Sequence, residues 1–433
     1  MPGKKLIIIS HDALVYEDLA YLGKLPVFGS LMKRGALVKT LRSVYPTVTY
    51  PVHASIITGT YPERHGIVNN EIFNPGELSS PWHWFADAVK TETLFSAAKR
   101  KGLKTAAIFW PVTGNHPDID YLIDEYWSQP GDNDLEAVFA RSGSSPEIKD
   151  KVIRKNLHLL KGFERKHPQA DEFVVACTCD IIREFSPDVL AVHPAAIDGA
   201  RHASGVFSEI VDKSLEDTER WTGMIIDAVR DTGRFDDTDF VIMSDHGQLE
   251  TKRIIHLNVI LQENGLIDTN EDGSFRNWDA FCKSAGHCVQ VYLKNREDRS
   301  VYKKTYDLLR HMKDEGIYGF NEVFTEDEIR KKEHLGGDFA FVLESDGYTA
   351  FGNDWRRPLV RPHNLNDYKF GRATHGYLPD KGPQPTLIAA GPSFRKGVEL
   401  DRRPIVDIAP TLAAVIRAEM NDTDGAVIKE ILR

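Results

Sequence analysis

The chain has 433 residues, 41% hydrophobic and 27% charged, with a formal net charge of -10. That length admits one large α/β domain with an insertion, or two to three ordinary domains, and the balance excludes disordered, fibrous and membrane-embedded classes. The acidic charge argues against a general nucleic-acid-binding surface and points to a small or solvent-accessible substrate.

The first apolar run, Leu6 to Ser10, is too short for a secretory signal and reads as a buried strand that stops on His11 and Asp12. In an open parallel sheet ligands gather at the carboxyl ends of strands, so Asp12 falls where a site would be, although it could equally cap the next helix. Residues 17–34 read as a helix interrupted near Pro26, and Ala36 to Val44 as a strand. Thr49 then stands two residues before Pro51, and Val52 to Thr58 reads as a short helix closed by Gly59. This puts Thr49 at or just before a helix N-terminus, where free amides and the dipole favour an anion. It is either a cap or a nucleophile.

Glu92 to Lys101 reads as a helix and Lys104 to Trp110 as a strand, a βαβ rhythm. Val112 to Ser145 reads as a long excursion over the active face, and Glu147 to Lys166 and Ala170 to Phe185 as two helices. The strand Pro187 to Val192 leads into Asp198 and His202, whose spacing puts two ligands on one side of a helical turn. After a helix over Glu209 to Asp231, the strand Phe240 to Met243 runs straight into Asp245, His246 and Gly247. An acid and an imidazole at a strand tip have little packing purpose. His375 and Gly376 repeat the theme in a loop.

Between about Asn264 and Arg361 the rhythm changes to strands and helices of modest length. The expectation is a small α+β cap at 264–361 inserted into a catalytic core formed by 1–263 and 362–433. Pro385 to Ala390 returns to a core strand, and Val406 to Ile416 is a last helix. Cys177, Cys179, Cys282 and Cys288 lack the spacing of a zinc finger or redox pair and read as reduced thiols. With no stretch long enough to span a bilayer, the expected compartment is the cytoplasm. The sequence carries no signal for oligomeric state.

Collected, Asp12, Thr49, Asp198, His202, Asp245, His246 and His375 are what two divalent ions and a hydroxyl nucleophile require. Mixed imidazole and carboxylate ligands favour zinc, or manganese, over magnesium. Together with Pro46 to Pro51, Thr58-Gly59, Tyr61 to Glu63, His65 to Ile67 and Phe109 to Pro111, they give a pattern that resembles the alkaline phosphatase superfamily. Within it the resemblance is to the nucleotide pyrophosphatase/phosphodiesterase family. It implies a largely parallel sheet flanked by helices, one ion held by Asp198, His202 and His375, and the other by Asp12, Asp245, His246 and Thr49. It further implies that Asn70 binds a phosphate oxygen and that Thr49 forms a covalent phospho-threonine ester in cleaving a small phosphodiester or pyrophosphate-type substrate. Ala13, Leu14, Val15 and Val52 depart from the family's usual residues, which touches the pocket rather than the ligands. The alternatives are a phosphomonoesterase, with Arg64 or Arg201 as the extra cation, and a non-catalytic metal- or ligand-binding member of the fold.

Overall fold

A computed structural model describes residues 4–365 and 367–433. Its central sheet is built from β1 (Lys5–Ser10), β2 (Ala36–Arg42), β3 (Thr105–Ile108), β4 (Tyr121–Ile123), β5 (Val189–Val192), β6 (Thr238–Met243), β7 (Leu387–Ala390) and β8 (Glu399–Pro404), in the order β8-β2-β7-β6-β1-β5-β3-β4. Every pairing is parallel except those of β7, which runs antiparallel to both β2 and β6. Strands buried on both faces are continuous apolar runs, and β1 shows why. Ile7 and Ile9 face a core with Phe173 and Trp221, whereas Leu6 and Ile8 face one with Val52, Ile56 and Leu412. Each such buried side chain contributes about 1.5–3 kcal/mol.

The helices that matter for the site are α1 (Thr49–Thr58), α2 (Gln169–Phe185), α3 (Ala196–Ser204), α4 (Glu209–Asp231) and α5 (Ile408–Val415). Helices α2 and α4 supply the first core, α1 and α5 the second. A separate antiparallel sheet orders Ala280–Ser284, Cys288–Leu293, Phe339–Ser345 and Phe320–Thr325, with the helix Arg299–Glu315 beside it. The four cysteines are buried free thiols, and among the described residues no helix is long and apolar enough to cross a membrane.

Two expectations are corrected. The stretch Val112 to Ser145 is not wholly an excursion, because Tyr121–Ile123 adds the edge strand β4 and Leu135–Arg141 a helix. A three-residue strand is too short to show an alternating pattern. The helix read over Glu147 to Lys166 breaks into a short turn at Pro146–Ile148, a π-helical turn at Lys149–Ile153 and an α-helix that stops at Leu160. Gly162, in the left-handed region at φ 83°, follows that stop and frees Phe163 to Pro168 to line a cavity.

Candidate active site

All seven residues singled out as ligands or nucleophile converge at the carboxyl edge of the central sheet. Asp12 follows β1, Asp245 and His246 follow β6, Asp198 and His202 lie one turn apart on α3 after β5, and Thr49 opens α1 after β2. Ligand atoms of Asp198, His202 and His375 lie within 4.8 Å of one another, as do those of Asp12, Asp245 and His246. Thr49 Oγ1 is 3.3 Å from His246 Nε2, and the His246 and His375 rings stack at 4.1 Å, which brings the two triplets together.

Helix α1 begins at Thr49 itself, with extended Val48 as its cap and Gly59 closing it at φ 68°. Proline in the first turn permits this start because its missing amide costs nothing there. The Tyr50 amide donates to Asn70 Oδ1 at 2.8 Å. It is therefore engaged with Asn70 rather than turned to a phosphate, which narrows the expected cradle of helix amides, and Asn70, whose side chain also meets the Tyr368 hydroxyl, lines the cavity. His53, one turn along α1, donates from Nδ1 to the Thr49 carbonyl at 2.9 Å and accepts from Ser10 Oγ at 2.9 Å. Both ring nitrogens are thus occupied, and His53 holds the backbone of Thr49 although it also approaches Asp245 at 3.5 Å.

The donor set fits divalent metal ions. His202 donates from Nδ1 to the Ala373 carbonyl at 2.7 Å, leaving the Nε2 lone pair 3.1 Å from Asp198 Oδ2. Asp12 Oδ1, Asp245 Oδ2 and His202 Nε2 are buried atoms with no hydrogen-bond partner among the described residues. Buried polar atoms left so cost free energy unless an ion satisfies them. Electrostatics agree. Burial, reinforced by Asp198, Asp245 and Glu125, pushes the Asp12 carboxyl well above its usual range. Burial also raises Asp198, but His202, His375 and His246 outweigh it and hold that carboxyl well below the ordinary value. His375 is driven down by burial and by His246, which keeps its imidazole neutral, the form a metal ligand requires.

Several contributors had escaped the sequence reading. His193 Nε2 lies 3.2 Å from Asp12 Oδ2, and its place directly after β5 was the available signal. Gln248, two residues past His246, donates to Asp198 Oδ1 at 2.5 Å. Tyr368 stacks on His375 at 5.9 Å and meets Trp82 edge-on at 5.5 Å. Next to Asn70, the buried Glu71 carboxylate accepts from Lys283 Nζ on one oxygen and Lys369 Nζ on the other, each at 2.5 Å. Burial would raise the Glu71 carboxyl, but the two ammonium groups hold it below its usual value. Among the aromatics nearby, Trp127 lines the cavity, Trp110 is fully buried and Tyr126 packs on Trp84. Neither arginine considered as an extra cation is free: Arg201 is buried and donates to Asp18 Oδ2 at 2.6 Å, and Arg64 pairs with Asp424 at 2.7 Å.

The His375 loop is fixed from two sides. The Gly376 amide donates to the Thr47 carbonyl at 3.0 Å, and the His287 amide donates to the His375 carbonyl at 2.9 Å. Ala13 sits in the left-handed region at φ 59°, where its amide donates to Asp245 Oδ1 at 3.2 Å. A glycine would adopt that conformation without strain.

With this geometry in place, comparison with known proteins decides the family. Residues 6–378 match the sequence pattern of the family described as type I phosphodiesterase / nucleotide pyrophosphatase. The chain belongs to that hydrolase family. Human ectonucleotide pyrophosphatase/phosphodiesterase family member 1 is 27% identical over 263 residues, covering 59% of this chain and 25% of the human protein. A Caenorhabditis elegans ectonucleotide pyrophosphatase/phosphodiesterase is 22% identical over 407 residues, covering 91% of this chain and 44% of the relative. The chain thus spans a quarter of the length of its human relative. Among solved structures, the murine ectonucleotide pyrophosphatase / phosphodiesterase 5, in an inactive threonine-to-alanine form in complex with AMP, superposes with a TM-score of 0.68 at 19% identity, covering 100% of both chains. That likeness shows that the chain shares the fold of the murine protein.

Proposed function

We propose that this protein hydrolyses phosphodiester or pyrophosphate-type bonds of small substrates through a covalent phospho-threonine at Thr49. The observation that carries this reading is the position of Thr49 Oγ1 at the head of α1, beside His246 and between two buried triplets of metal-ligand type. Asp198, His202 and His375 would hold one ion, and Asp12, Asp245, His246 and Thr49 the other. Two such ions, zinc or manganese, supply Lewis-acid charge that lowers the pKa of a hydroxyl and neutralises phosphate oxygens. His53 and the first turn of α1 fix the Thr49 backbone so that Oγ1 meets phosphorus without reorganisation. As the Oγ1–phosphorus bond forms, the ester oxygen leaves; water then opens the phospho-threonine and restores the hydroxyl. The Asn70 amide group, oriented by its bond from the Tyr50 amide, donates to a non-bridging oxygen.

Engagement of Arg64 and Arg201 elsewhere favours a diester over a dianionic monoester, which wants an added cation. The AMP complex of the inactive murine neighbour supports a threonine-dependent reaction on phosphate esters. We further read 264–361 as an inserted subdomain whose role is to buttress the His375 loop. The test pairs elemental analysis with hydrolysis of bis(4-nitrophenyl) phosphate and 4-nitrophenyl phosphate. Two zinc or manganese ions per chain and a diester preference are expected, and Thr49→Ala should lower kcat by at least about a thousandfold while retaining metal. Full activity in Thr49→Ala would overturn the nucleophile, and monoester preference the substrate class.

A further inference from the structure

The cavity that holds Thr49 has a volume of about 720 Å³ and continues well past the two triplets, to a wall formed by residues 163–169 and the exposed side of α4. There the Arg165 guanidinium lies over the faces of two indoles, 5.6 Å from Trp82 and 5.9 Å from Trp127. Arg165 makes no salt bridge among the described residues, and its partners there are the two rings. His167 lies beside it, with Nδ1 bound to Asp171 Oδ2 at 2.6 Å, so its other nitrogen is left for a ligand. Burial alone would lower this imidazole, but Asp171 outweighs it and raises His167 toward the charged form. A glycine in α3 makes the approach possible: a Cβ on Gly199, next to Asp198, would stand 2.7 Å from the His167 ring.

Asp171 partners His167, whereas Arg165 is left without an ion pair among the described residues. Asp217 is taken by Arg220 at 2.9 Å. Glu125 lines the cavity, where burial pushes its carboxyl up to about 8 against the opposing pull of Tyr50 and Arg165. Lys213 adds a further positive charge at the rim. A long cavity with the proposed phosphate site at one end and the Arg165 guanidinium, without an ion pair among the described residues, at the other suits a substrate with two anionic centres.

We propose that this far end is an oxyanion subsite, in which Arg165 and His167 bind a carboxylate or second phosphate on the organic substituent of the ester, with Trp82 and Trp127 walling that substituent. The inference rests on the proposed phosphoesterase site and names the class of substituent it takes.

The test is calorimetric binding of phenyl phosphate, 4-carboxyphenyl phosphate and 1,4-phenylene bisphosphate to the zinc-loaded protein, with hydrolysis of bis(4-nitrophenyl) phosphate measured in parallel. A charge-assisted contact made by a solvent-exposed arginine corresponds to a preference of about tenfold for the doubly anionic probes over phenyl phosphate. Arg165→Gln should reduce that preference to within about twofold, and Arg165→Lys should keep part of it. The two doubly anionic probes distinguish a carboxylate site from a phosphate site. Equal affinity for all three, absence of binding, or a preference untouched by Arg165→Gln would overturn the subsite. If the diester is hydrolysed without any preference, the subsite falls and the proposed function stands; if the preference is present without hydrolysis, the reverse holds.

Discussion

Glu71 shares one carboxylate between two buried lysines, and this makes an asymmetric prediction. Lys283 and Lys369 each sit 2.5 Å from a different oxygen of Glu71, so their nitrogens are at most about 7 Å apart. Glu71→Gln would leave two buried ammonium groups facing each other, a repulsion of about 2 kcal/mol at an effective dielectric constant near 20. Adding the attraction lost, the substitution should destabilise by about 3–5 kcal/mol. Lys283→Met should cost only about 1–2 kcal/mol, because the neutral Glu71–Lys369 pair survives. The combined Glu71→Gln/Lys283→Met variant should be more stable than Glu71→Gln alone, since the repulsion disappears. Urea unfolding of the metal-loaded protein at pH 7 measures all three. Lys283→Met costing more than Glu71→Gln, or no recovery in the double variant, would refute the shared-carboxylate reasoning.

A Cβ on Gly376, at φ 100°, would lie 1.7 Å from the Ala285 carbonyl oxygen, so Gly376→Ala should displace His375 and lower the metal content of the protein; an unchanged metal content by elemental analysis would contradict this. Burial pushes His11, His65 and His287 each down to about 3, against roughly 6.5 in the unfolded chain. Between those values the unfolded state binds more protons, so stability should fall with decreasing pH by about 1.4 kcal/mol per pH unit for each histidine. Unfolding midpoints at pH 7, 6 and 5 test this, and a flat profile would count against it.

Residues that end an apolar strand were legible in the sequence. Ile7 to Ile9 and Phe240 to Met243 stop abruptly on polar groups, so Asp12, Asp245 and His246 stand out against the runs that precede them. Asp198 and His202 were legible through helical spacing, and Thr49 through its proline and closing glycine. What escaped depends on partners remote in sequence. Glu71 looks like a surface acid until Lys283 and Lys369 arrive from other segments. Tyr368 lies in a short turn with no periodicity, and only the fold stacks it on His375. The edge strand β8 was missed because it alternates exposed charged residues, as an unpaired edge does.

The double anchoring of the His375 loop bears on how molecules enter and leave. One anchor belongs to the segment that carries Thr49, the other to the hairpin of the second sheet. A swing of that sheet away from the central one would drag His375 out of reach of Asp198 and dismantle the centre. On the proposed function, exchange of substrate and product would then use the existing mouth of the cavity rather than a parting of the two sheets.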